Sequence, residues 1–64
     1  MENVESDSTN GEKIKRTRIE KNLSRPDVFR AIGIPVRTLE DWEYGKRHPS
    51  DWEADLIIEK IKNL

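Results

Sequence analysis

The sequence predicts an all-α fold: four to five short helices around one small core, preceded by a disordered tail. Three observations carry that prediction. Apolar residues recur at helical spacing, as in Val28, Phe29 and Ile32, or in Leu39 and Trp42. Serine, proline and glycine stand where helices begin and end. No stretch alternates apolar and polar residues in the way a half-buried strand does.

Residues 1–11 are polar, with Ser6, Ser8, Thr9, Asn10 and Gly11 close together. Nothing there buries enough surface to order the backbone, so an acidic, disordered tail is expected, with the folded domain spanning 12–64. A first helix is expected from about Glu12 to Asn22, with Ile14 and Ile19 as its apolar residues and Leu23 packing just past its end. Ser24 fits an N-cap whose hydroxyl accepts from the Asp27 amide. Pro26 then falls in the first turn, where a missing amide costs little. Gly33 stops this second helix by admitting a left-handed backbone. Pro35 presets φ for a third helix over Val36–Tyr44, with Leu39 and Trp42 facing inward and Gly45 ending it. Ser50-Asp51-Trp52-Glu53 reads as a capping box for a fourth helix. Leu56, Ile57, Ile58 and Ile61 supply its apolar stripe.

Sixty-four residues make one domain with a small core. With no cysteine and one histidine, the chain holds neither a disulfide nor a thiolate or imidazole metal cluster. No segment approaches the roughly eighteen apolar residues of a membrane span, and the acidic start lacks the apolar region of a signal peptide. A soluble cytoplasmic protein with no cofactor is expected.

The net charge of −1 hides an uneven distribution. Glu2, Glu5, Asp7 and Glu12 lie in the first twelve residues, which carry no Lys or Arg; the remainder is net +3. Between Lys13 and Arg25, six basic residues (Lys13, Lys15, Arg16, Arg18, Lys21, Arg25) face Glu20 alone. Such a cluster can neutralise phosphates whatever the total charge, although on charge alone a solvated helix face is the favoured reading.

The second and third helices, joined at Gly33, form a helix-turn-helix, whose second helix usually enters DNA. The residues Arg18, Leu23-Ser24, Gly33-Ile34, Thr38-Leu39, Trp42-Glu43, Gly45, Arg47 and Pro49 resemble the Xre/Cro-type helix-turn-helix family of phage repressors and bacterial regulators. The resemblance covers Ile14 to Ile61. The string Gly-Ile-Pro-x-Arg-Thr-Leu-x-x-Trp-Glu-x-Gly-x-Arg-x-Pro is particularly similar to very small stand-alone Xre-like proteins of Gram-positive bacteria and their mobile elements. The resemblance implies a compact lambda-repressor-like domain that binds double-stranded DNA. It also implies a partly buried ion pair between Arg18 and Glu43, joining the first and third helices. Phe29 departs from the pattern, since many such proteins carry a small residue there; a slightly different packing or a partly exposed ring is expected.

Carried over by position, Val36, Arg37, Glu40 and Asp41 are the candidate base contacts. Arg37 ranks first, because a guanidinium can bond both acceptors of guanine in the major groove. Val36 would meet a thymine methyl. Arg25 stands where the family often has Gln and would reach a phosphate or a guanine. Thr38, Lys46, Arg47 and His48 are candidate phosphate contacts, with Lys13 or Arg16 adding to the field. Glu40 and Asp41 are repelled by phosphates. Asp41 would accept from a cytosine amino group, or either acid would pair with Arg37 or Lys46 or act against wrong sequences. Trp42 is expected in the core. Trp52 is expected at the core's lower edge, with a partner surface as the alternative.

The function these readings favour is sequence-specific DNA binding as a small transcriptional regulator. A homodimer through the fourth helix and C-terminus, around Trp52, Leu56 and Leu64, would supply a two-fold site. The alternative is a protein-interaction module or antitoxin-like protein on the same fold, with weak or no DNA binding and a protein partner near Trp52 or Phe29. Catalysis is not expected: Ser24 is explained as a cap, His48 has no visible partner, and no glycine loop cradles phosphate.

Overall fold

The computed structural model describes residues 9–64, which form four helices: α1 Asn10–Glu20, α2 Arg25–Ile32, α3 Val36–Glu43 and α4 Asp51–Lys62. Among the described residues there is no strand. None of these helices is long and apolar enough to cross a membrane.

α1 begins two residues before the expected Glu12. The Thr9 hydroxyl accepts from the Glu12 amide at 3.1 Å and caps the helix. Asn10 Nδ2 donates to the Pro49 carbonyl at 3.0 Å and to Asp51 Oδ1 at 2.8 Å, tying the start of α1 to the start of α4. Residues 9–11, assigned to the tail from composition, are therefore the cap and first turn of the domain. The rest of the proposed tail, residues 1–8, lies outside the described residues. α1 also ends at Glu20 rather than Asn22. Asn22 takes φ +58°, one of the few side chains that tolerates a left-handed backbone. The Leu23 amide then reaches back to the Arg18 carbonyl and the Asn22 amide to that of Ile19, satisfying carbonyls the helix would leave open.

The other boundaries follow their local chemistry. Ser24 and Asp27 form a reciprocal capping box at α2, and Ser50 and Glu53 form one at α4. Gly33 ends α2 at φ +92°. Past Tyr44, Gly45 takes φ +83°, and the Asp41 carbonyl accepts from the amides of Lys46 and Arg47 at 2.8 and 3.2 Å.

The core is Ile14, Val28, Leu39, Ala54, Ile57 and Ile61, with Leu23, Ile32, Ile34, Trp42 and Ile58 packed against it. α1 lies against α3 and α4, and α2 closes on α3. Three apolar residues expected to face inward, Trp52, Leu56 and Ile19, do not, and the Phe29 ring is partly exposed, one of the two outcomes expected for it. Trp52 is 67% exposed. The reason is rotation: Trp52 and Leu56 each lie two residues from buried Ala54, about 200° around the helix. Ala54, which the apolar stripe read from the sequence omitted, takes the inward position.

Candidate nucleic-acid interface

Leu39, wholly buried, anchors α3 and sets its rotation. Arg37, Asp41 and Tyr44 follow one another at the i, i+4, i+7 spacing of one helical face, on the side away from Leu39. Arg37 is exposed, in the first turn of α3, and makes no ion pair among the described residues. Val36, Thr38 and Glu40 are half-buried beside it. α3 has no side-chain cap, because Pro35 occupies the N-cap position.

Asp41 is differently employed from what its position suggested. Its carboxylate is 3.6 Å from Arg47 Nε, and its side chain is only 18% exposed. Its partner is thus Arg47, not Arg37 or Lys46. With its carbonyl already holding the Lys46 and Arg47 amides, Asp41 organises the turn that follows α3. Lys46, Arg47 and His48 are exposed on that turn.

Arg18 and Glu43 come together from α1 and α3. Arg18 Nε donates to Glu43 Oε2 at 2.8 Å and Nη2 to Oε1 at 3.1 Å, a bidentate pair. Arg18 Nη1 donates to the Leu23 carbonyl at 2.7 Å. The Glu43 side chain is fully buried. A second guanidinium shares it: Arg25 Nε donates to Glu43 Oε1 at 3.0 Å. Arg25 also lies over the Tyr44 ring, 5.4 Å from its centroid, and its Nη2 donates to the phenolic oxygen at 3.4 Å. Partial burial works against the Arg25 charge, but the Glu43 carboxylate and its hydrogen bond outweigh it and raise the Arg25 pKa. Arg25, expected at a phosphate or a guanine, is therefore first of all the third member of a buried ionic cluster. Sequence reasoning missed both this role and Tyr44. The signal was available only in part: Arg25 and Tyr44 flank the two motif helices, but nothing local couples them.

At the same end of α2, the Asp27 carboxylate accepts from the Ser24 amide, the Ser24 hydroxyl accepts from the Asp27 amide, and the Asp27 carboxylate pairs with Arg30. These hydrogen bonds, that of the Ser24 backbone first, hold its carboxyl below the usual range.

An Xre/Cro-type helix-turn-helix family profile matches residues 14–61. The chain belongs to that helix-turn-helix family. The match takes in all four helices except the first turn of α1 and the last residue of α4. The family is one of DNA-binding, non-catalytic domains. No curated protein and no solved structure matches the chain.

Proposed function

We propose that this helix-turn-helix protein binds double-stranded DNA sequence-specifically in the major groove and acts in the cytoplasm as a small transcriptional regulator. The observation that carries the reading is Arg37: an exposed guanidinium in the first turn of the second motif helix, with no ion pair among the described residues, on a helix anchored by buried Leu39 and Glu43. In this reading Arg37 bonds a guanine edge and Val36 contacts a neighbouring base. Glu40 borders the base-reading surface. Asp41 acts on specificity chiefly by placing Arg47. Thr38, Lys46, Arg47 and His48 contact phosphates on either side.

One such domain offers few base contacts, so a two-fold dimer on a two-fold site is the assembly that gives useful specificity. Trp52 and Leu56, exposed at i and i+4 on α4, and Leu64 beyond its end supply an apolar surface for it. The same exposed pair favours the second reading, a protein-interaction module or antitoxin-like protein, in which this face meets a protein partner instead.

The test is titration of isotope-labelled protein with random duplex DNA at low and moderate salt, followed by NMR. Perturbations at Val36, Arg37, Thr38 and Lys46 that fade as salt rises support the DNA reading. No perturbation at low salt ends it, and the Trp52 surface becomes the place to seek a partner.

A further inference from the structure

α1 opens on Asn10-Gly11, the only place in the chain where an asparagine precedes a glycine. Asn3, Asn22 and Asn63 precede Val4, Leu23 and Leu64. An asparagine before glycine is open to attack on its own side chain, because no β-carbon shields the next backbone nitrogen and the glycine bends freely. The fold uses both members of the pair. Gly11 lies against the Trp42 carbonyl, where a β-carbon has no room. Asn10 is a latch: its Nδ2 donates to the Pro49 carbonyl and to Asp51 Oδ1, holding the start of α1 to the start of α4.

We propose that Asn10 is a site of spontaneous deamidation, gated by this latch, and that the products cannot remake the latch. The Gly11 nitrogen gives its proton to a solvent hydroxide and bonds to Asn10 Cγ. The Cγ–Nδ2 bond breaks, and Nδ2 takes a proton from water and leaves as ammonia, closing a five-membered succinimide. Water then opens the ring on either side. Breaking the bond from nitrogen to Cγ gives aspartate in the ordinary chain. Breaking the bond from nitrogen to the α-carbonyl gives isoaspartate, with the chain running through the former side chain. Water is the only co-reactant, and the hydrogen bond from Asn10 to Asp51 is exposed to it.

Closed, the first turn of α1 slows this reaction in two ways. Ring closure turns the Gly11 nitrogen toward Cγ by rotation about the Asn10 ψ bond, which helical geometry fixes. The two hydrogen bonds also hold the side chain in place. The rate then follows how often that turn opens, and a helix end opens more easily than the whole domain unfolds. Both products are wrong for the closed state. Aspartate has no hydrogen to give the Pro49 carbonyl, and it sets a second carboxylate against Asp51. A helix N-terminus favours negative charge, but the first turn of α4 already carries Asp51 and Glu53. Isoaspartate adds an atom to the main chain next to Gly11, whose contact with Trp42 leaves no slack. The domain thus carries a one-way clock, set by the opening of α1.

The experiment follows deamidation of the full chain in mildly alkaline buffer, with and without urea, by peptide mass mapping. Wild type and Asp51→Ala are compared, with Asn22 and Asn63 as internal references. Asn10 is expected to be modified first in urea, at least about tenfold more slowly in the folded wild type, and at an intermediate rate in folded Asp51→Ala. Thermal unfolding reads the products. Asn10→Asp is expected to melt about 4–8 °C below wild type, and adding Asp51→Asn to it, which reverses donor and acceptor, should restore most of the loss. Modification of Asn10 no faster than of Asn22 or Asn63 in urea overturns the site. Equal rates in folded and unfolded wild type, or in folded wild type and Asp51→Ala, overturn the gate. Asn10→Asp melting with wild type shows that the latch closes on the product, and overturns the one-way step.

Discussion

Gly11 of α1 packs directly against the backbone carbonyl of Trp42 on α3, leaving no room for a β-carbon between them. The two residues are far apart in the chain, yet this contact sets how closely the helices approach. It brings Arg18, further along α1, within reach of Glu43, the residue after Trp42.

Gly11→Ala tests that contact. Helix propensity alone favours alanine by up to about 1 kcal/mol. The clash is with backbone, which cannot swing aside, so α1 and α3 must separate. A net loss of about 1–3 kcal/mol is expected, as for overpacked cores. In a domain of this size each kcal/mol lowers Tm by about 4–8 °C. Thermal unfolding by circular dichroism reads it; a variant as stable as wild type would remove the close approach as a determinant of the fold.

The shared carboxylate predicts an asymmetry between its partners. Glu43→Gln leaves two guanidiniums facing each other without a counter-charge, and breaking a buried pair this way costs about 3–5 kcal/mol. Arg18→Met leaves Glu43 paired with Arg25, so its cost should be smaller although the bond to the Leu23 carbonyl is lost too. Urea unfolding of both variants checks the order. Equal or reversed costs would mean that Arg25 does not hold Glu43 in solution.

Arg37→Ala should leave stability within about 0.5 kcal/mol of wild type, because the side chain is exposed and makes no ion pair among the described residues. If Arg37 reads a guanine, the variant loses about 1–3 kcal/mol of discrimination at one base position while its affinity for random duplex changes little. Site selection with both proteins makes the comparison. Identical preferred sites would exclude Arg37 from base readout.

The α2 capping box has a pH signature. The folded-state pKa of Asp27 is lowered, so its contribution to stability is fully present above the ordinary carboxylate pKa of about 3.9 and is lost as pH falls through the lower folded value. Titration of the Asp27 carboxyl carbon by NMR should give a midpoint below that ordinary value. Asp27→Asn should flatten the acid limb of the stability profile. A midpoint at or above the ordinary value would show that the box is open in solution.

The boundaries of α2, α3 and α4 were legible because their causes are local. Ser24 with Asp27 and Ser50 with Glu53 act across three residues, and Gly33 and Gly45 act on their own backbone. Local spacing also identified Ile14, Val28, Leu39, Ile57 and Ile61 as core, and the ordered motif from Gly33 to Pro49 pointed to the helix-turn-helix and to Arg37. What tertiary structure alone decided involves partners distant in the chain. Asn10 finds Asp51 across 41 residues and Arg25 finds Glu43 across 18. Asp41 takes Arg47 over other nearby cations because the turn after α3 folds back on its carbonyl. Trp52 stays outside because Ala54 already fills the inward position of α4. Hydrophobic periodicity sets which face of a helix is buried; which polar side chains then meet depends on the distance and angle at which those faces pack.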